Sequence, residues 1–102
     1  DSFLRYAKEM AYSHHERWNG TGYPENLAGE QIPVSARLMA LAVVYDAIIS
    51  RRVYKDPMPH ENAVEIIREE SGKQFDPVVV QAFLTLADRF REISETFRDE
   101  WP

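Results

Sequence analysis

The chain has 102 residues, a 44% hydrophobic content and a formal net charge of −5, enough apolar material for the core of one domain or a piece of one. It contains no cysteine, which excludes a disulfide framework and a thiolate metal site and fits a reducing compartment. The acidic balance argues against a nucleic-acid-binding surface over the whole domain, so DNA is not an expected partner and any local cluster of cations becomes informative. The longest apolar run, 38–45, is too short to span a bilayer and stops at Asp46. No charged and apolar leader opens the chain, so neither a signal peptide nor a membrane partner is expected. There is no internal repeat and no low-complexity segment.

Phe3, Leu4, Ala7, Met10 and Ala11 recur at helical spacing and predict a helix over 2–14. Gly20, Gly22, Pro24, Gly29 and Pro33, with Asn19 and Asn26, then predict a loop. Pro33 suits the first turn of a second helix, over about 34–50, with Leu38, Leu41, Ala42, Tyr45, Ile48 and Ile49 on one stripe. That helix is apolar nearly all round, which predicts burial on more than one side. After a second loop, a third helix over about 60–71 should bury Ala63, Ile66 and Ile67, expose Glu65, Arg68 and Glu69, and stop at Gly72. Asp76 and Pro77 read as an N-cap and first helical residue. A fourth helix, 77–98, places Val80, Phe83, Leu84, Ala87, Phe90, Ile93 and Phe97 on one face. Nothing alternates with period two, so the expected class is all-α, about four helices with one long Gly/Pro-rich loop.

Three features could carry chemistry. His14 and His15 are adjacent; neighbours on a helix point about 100° apart, so both can serve one cluster only at a helix end or across a site with several metals. They fit either metal ligands or two surface histidines, and Glu16 could orient an imidazole through its second nitrogen. The string Gly20-Thr21-Gly22-Tyr23-Pro24 is either an ordinary turn or a backbone built for close approach to a ligand. Arg51, Arg52 and Lys55 could hold phosphate oxygens or complement the dipole of the preceding helix. Trp18 and Tyr23 could stack on a base, although cover for the loop suits them better. His60 reads as solvent-exposed.

Together and in this order, these features resemble a family. HHERWNGTGYPENLAGEQIP, then AR, YDA, S-x-R-x-YK and GKQFDP, is similar to the C-terminal portion of an HD-GYP domain, over about His14 to Phe83. The resemblance implies an all-helical member of the HD phosphohydrolase superfamily, bacterial and cytoplasmic, frequently the output domain of a response regulator in two-component signalling. It implies metal-assisted phosphodiester hydrolysis of cyclic di-GMP or a related nucleotide, with iron or manganese, and contacts between the GYP loop and GGDEF-type domains. By that resemblance His14 and His15 match metal ligands, and Gly22, Tyr23 and Pro24 the naming motif. Arg52 and Lys55 match phosphate-contacting residues, Tyr23 is grouped with them, and Asp46 matches a structural Asp that accepts hydrogen bonds from the loop backbone.

The sequence departs from the family pattern at Val43, where a metal-ligating Asp is usual, one turn before Asp46 and so expected to face the His pair. Ile49 and Val53 also depart. The His-Asp pair naming the superfamily would lie before residue 1, making residues 1–102 the C-terminal portion of one domain. The chain alone is therefore expected to bind no metal and to be inactive, and to self-associate through apolar surface that upstream helices would cover. A degenerate, non-catalytic domain that binds nucleotide or a protein partner is the alternative.

Overall fold

A computed structural model describes residues 1–50 and 55–98; the expectations for Arg51, Arg52 and Val53, and for the burial of Phe97, fall outside what is described. The described residues form five α-helices, a 3-10 turn at Gly29–Gln31 and no β-strand. The helices are α1 (Ser2–Ser13), α2 (Val34–Ile49), α3 (His60–Glu69), α4 (Pro77–Thr85) and α5 (Ala87–Arg98). The all-α expectation holds. The Asp1 carboxylate caps α1 through the Phe3 N–H at 2.8 Å. Asp76 caps α4 through the Val78 N–H, also at 2.8 Å, with Pro77 in the first turn, as the sequence implies.

The expected single helix over 77–98 is two helices meeting at Leu86. No glycine or proline marks the break. The Thr85 hydroxyl donates back to the Gln81 carbonyl at 3.0 Å, an arrangement that bends helices. The Leu86 N–H is divided between the carbonyls of Ala82 and Phe83. Beyond the bend, Phe90 sits edge-on to Phe83 and Tyr45, with centroids 5.0 and 5.4 Å away.

The core gathers Leu41, Tyr45 and Ile48 of α2, Ala63 and Ile67 of α3, Phe75, and Val80 and Phe83 of α4. Burial of α2 is less complete than its all-round apolar sequence implies: Val34, Leu38, Met39, Ala42 and Val43 are exposed. The α3 and α4 helices cover one face and α1 part of another. The helix α1 is itself thinly covered, with Phe3, Leu4, Tyr6, Ala11 and Tyr12 open to solvent.

A largely buried ion pair joins distant parts of the chain. The Arg37 guanidinium donates to the Asp76 carboxylate at 2.9 Å, both largely buried, and its Nε donates to the Ile32 carbonyl. The start of α2 is thereby fixed to the cap of α4, and the same guanidinium lies 5.9 Å from the Trp18 ring. A buried pair of this kind contributes little over an apolar substitute, but removing one partner strands the other charge. Arg37→Ala should therefore lower the unfolding free energy by about 3 kcal/mol. Urea denaturation of the variant measures this, and a loss below about 1 kcal/mol would show that the pair is not desolvated.

Candidate functional site

Ser13 ends α1, and the two histidines follow where the backbone leaves the helix. His14 still makes the helical bond from its N–H to the Met10 carbonyl at 3.1 Å. Its ring Nδ1 also lies 2.7 Å from that carbonyl. A carbonyl can only accept, so Nδ1 carries a proton, and in the neutral ring the lone pair is then on Nε2. This is the tautomer an Nε2 ligand needs. The His15 ring lies beside it, centroids 3.9 Å apart and tilted by 41°. Tyr23 stacks on His15 at 4.9 Å and 16°. The three aromatic groups singled out in the sequence thus form one exposed row, with His14 half-buried at its inner end.

What holds Tyr23 there is Glu16. The carboxylate is 3% exposed and accepts the Glu25 N–H at 2.7 Å and the Leu27 N–H at 2.9 Å, one on each oxygen. The described hydrogen bonds of Glu16 run to the loop: each oxygen accepts one backbone amide, and none to an imidazole is described. This folds 20–28 back onto the end of α1. The return is so close that a Cβ on buried Gly22 would sit 2.6 Å from the Arg17 nitrogen and 2.7 Å from the Glu16 Cα. Only glycine fits there. Gly20 has a φ of +83°, a left-handed conformation that also suits glycine. The Tyr23–Pro24 bond is cis. The Asn26 side-chain amide donates to the Gly22 carbonyl, and the Asn19 carboxamide oxygen accepts the Thr21 N–H at 3.2 Å and its hydroxyl at 2.6 Å.

The loop is tied on its other side to the segment before α4. The N–H groups of Trp18 and Asn19 donate to the carbonyls of Gln74 and Lys73 at 3.1 and 2.9 Å. Trp18 is half-buried, its ring 5.9 Å from the Arg37 guanidinium. The sequence reading assigned no role to Arg37 or Phe75, although both lie in quoted motifs; one braces the loop segment and the other fills the core.

Asp46 is exposed at the end of α2, where its carboxylate accepts the Ser50 hydroxyl at 3.0 Å. Lys55 is exposed, and Arg52 lies outside the described residues. His60 is not solvent-exposed as expected; it is half-buried, with Nδ1 2.8 Å from the Tyr45 hydroxyl. Val43 lies on the open face of α2. Among the described residues, no group of three or more His, Cys, Asp or Glu side chains could hold a metal ion. Two imidazoles suit part of a metal's donor set and leave the remainder to be supplied by residues elsewhere. No described helix is long and apolar enough to cross a membrane.

A model of the HD domain family matches residues 2–79, and the chain belongs to that family. It is 58% identical over 98 residues, 96% of its length, to a Cyclic di-GMP phosphodiesterase of Vibrio cholerae, of which it spans 20%. It is 38% identical over 93% of its length to the Cyclic di-GMP phosphodiesterase response regulator RpfG of Xanthomonas campestris, spanning 25% of that protein. Among solved structures, it resembles a cyclic GMP-AMP specific phosphodiesterase of V. cholerae with a TM-score of 0.66 and 31% identity, over 88% of this chain and 22% of that one. The chain therefore spans about a fifth to a quarter of these relatives. HD-domain phosphohydrolases generally use divalent metals.

Glu16→Ala should release both loop amides at a cost of about 3–6 kcal/mol, because hydrogen bonds to a charged group contribute roughly 1.5–3 kcal/mol each. Hydrogen exchange should accelerate more at the amides of Glu25 and Leu27 than at Val80 in the core. Equal acceleration throughout would mean that Glu16 stabilises the fold and not the loop.

Proposed function

We propose that this chain is the C-terminal part of an HD-GYP domain whose intact form hydrolyses cyclic di-GMP or a related cyclic dinucleotide. The observation that carries the reading is the His14–His15–Tyr23 row, with His14 Nδ1 engaged by the Met10 carbonyl, in a chain 58% identical to a protein named Cyclic di-GMP phosphodiesterase. In the intact domain His14 and His15 contribute ligands to a divalent metal site, iron or manganese, completed from an upstream half. When bound, the metal supplies charge neutralisation at the scissile phosphate. The protein's own share is to hold the two imidazoles in one orientation through Met10 and the stacked Tyr23, and to clamp phosphate with Arg52 and Lys55. A cytoplasmic response-regulator output domain fits the likeness to RpfG. The exposed Tyr23, Pro24 and Glu25 offer a surface for a GGDEF-type partner, and the open apolar faces of α1 and α2 favour self-association of the isolated chain.

A second reading is favoured by Val43, which offers a metal no lone pair where the family has Asp. In that case the intact domain binds nucleotide or protein without hydrolysing it.

One experiment separates these readings. The full-length protein and the isolated chain are assayed for Mn²⁺-dependent hydrolysis of cyclic di-GMP, with metal content measured alongside. The isolated chain should be inactive, because two histidines are too few donors. The full-length protein should turn over slowly, and Val43→Asp should raise its metal content. Hydrolysis by the isolated chain contradicts the division of the site; no hydrolysis by the full-length protein, with nucleotide still bound, establishes the second reading.

A further inference from the structure

Of the three asparagines in the chain, Asn19 alone is followed by glycine. A backbone nitrogen can attack the side-chain carbonyl of an asparagine before it and close a succinimide ring. Glycine, with no Cβ, leaves that nitrogen the freest approach. Asn19 is exposed, so water reaches it.

In the closed loop both reacting groups are engaged. The Gly20 N–H donates to the Arg17 carbonyl at 2.8 Å, an acceptor that does not remove the proton. The Asn19 carboxamide oxygen accepts the Thr21 N–H at 3.2 Å and the Thr21 hydroxyl at 2.6 Å, which turns the carboxamide toward residue 21. The backbone around them is pinned as well. Trp18 and Asn19 donate to the carbonyls of Gln74 and Lys73, and the Gly29 N–H donates to the Trp18 carbonyl at 2.9 Å. A Cβ on Gly20 would lie 3.2 Å from the Ala28 Cβ, so the outgoing and returning arms of the loop touch at this point. The returning arm is the one that Glu16 holds, through Glu25 and Leu27.

We propose that Asn19 is a modification site gated by the loop: closed, the loop keeps the carboxamide from the Gly20 nitrogen, and opened, it lets the two cyclise and the side chain deamidate. The step needs only water and hydroxide. The Gly20 nitrogen loses its proton to hydroxide and bonds to Asn19 Cγ. The Cγ–Nδ2 bond breaks, and Nδ2 takes a proton from water and leaves as ammonia. A second water then opens the succinimide. Cleavage of the new bond to Cγ gives aspartate. Cleavage of the bond to the main-chain carbonyl gives isoaspartate, whose main chain runs through Cβ and Cγ. Aspartate still accepts both Thr21 donors. Isoaspartate inserts a carbon between the Asn19 and Gly20 amides, so their bonds to Lys73 and Arg17 cannot both form in the present register. The loop that carries Tyr23 onto His15 then does not reclose. Deamidation would thus record loop opening irreversibly.

The test ages the full-length protein in mildly alkaline buffer beside an unstructured synthetic peptide of residues 15–27. Deamidation at each asparagine is followed by peptide mass spectrometry. Asn19 should react at least about tenfold more slowly in the protein than in the peptide, because reaction waits on local opening. Glu16→Ala, with release of the Glu25 and Leu27 amides checked by hydrogen exchange, should bring the protein to within roughly threefold of the peptide. Thr21→Val, at an exposed residue, should speed the reaction about threefold by freeing the carboxamide oxygen, and serves if Glu16→Ala folds poorly. Asn26 and Asn62 should stay intact. Molecules carrying isoaspartate should exchange the Glu25 and Leu27 amides faster than native protein, and Asn19→Asp should not. Equal rates in protein and peptide would overturn the proposal, as would an unchanged rate in Glu16→Ala once its loop is shown to be released. A slower rate in Thr21→Val would overturn it too, since Thr21 would then be assisting the attack on Cγ.

Discussion

A carboxylate at 3% exposure must find donors or give up its charge, and Glu16 finds them in the backbone of the loop that follows it. Much of the site follows from that constraint. To bring the amides of Glu25 and Leu27 to Glu16, the chain must reverse over the end of α1, and Gly22 must pass too close to residues 15–17 to carry a side chain. Tyr23 then lands on His15, its N–H 3.3 Å from the His15 carbonyl. The Gly-Tyr-Pro string is thus less a reactive motif than the geometry that lets a buried anion be satisfied beside two imidazoles.

The remaining motif residues brace this arrangement from outside. Arg37 and Asp76, 39 positions apart, close α2 onto α4. The segment before α4 holds the backbone of Trp18 and Asn19. Arg17 adds a looser, partly solvated contact to Glu70 at 3.4 Å, which contributes little at such exposure. Rigid support of this kind suits ligands that must point one way before a metal arrives.

The helices, the loop and the His pair were legible because each rests on local rules: apolar spacing, turn residues, and adjacency at a helix end. What was not legible depends on which groups meet in space. Glu16 stands next to two histidines in sequence, yet its lone pairs face amides nine and eleven residues on. His60 at a helix start looks solvated until Tyr45, fifteen residues earlier, is seen to reach it. The break at Leu86, beside a threonine back-bond, carries no glycine or proline signal. The apolar girth of α2 implied more coverage than α1, α3 and α4 provide, because composition reports what a face prefers and not which neighbour covers it.

We propose that His14 and His15 are metal ligands held ready by the fold around Glu16. The most direct test is a Mn²⁺ titration of the full-length protein against its His14→Ala/His15→Ala variant, read by calorimetry with helix content checked by circular dichroism. Losing two first donors should weaken metal affinity by well over a hundredfold, since supporting residues alone are worth about 10–100-fold. An affinity unchanged in a variant that retains its helices would place the metal, and the chemistry, elsewhere.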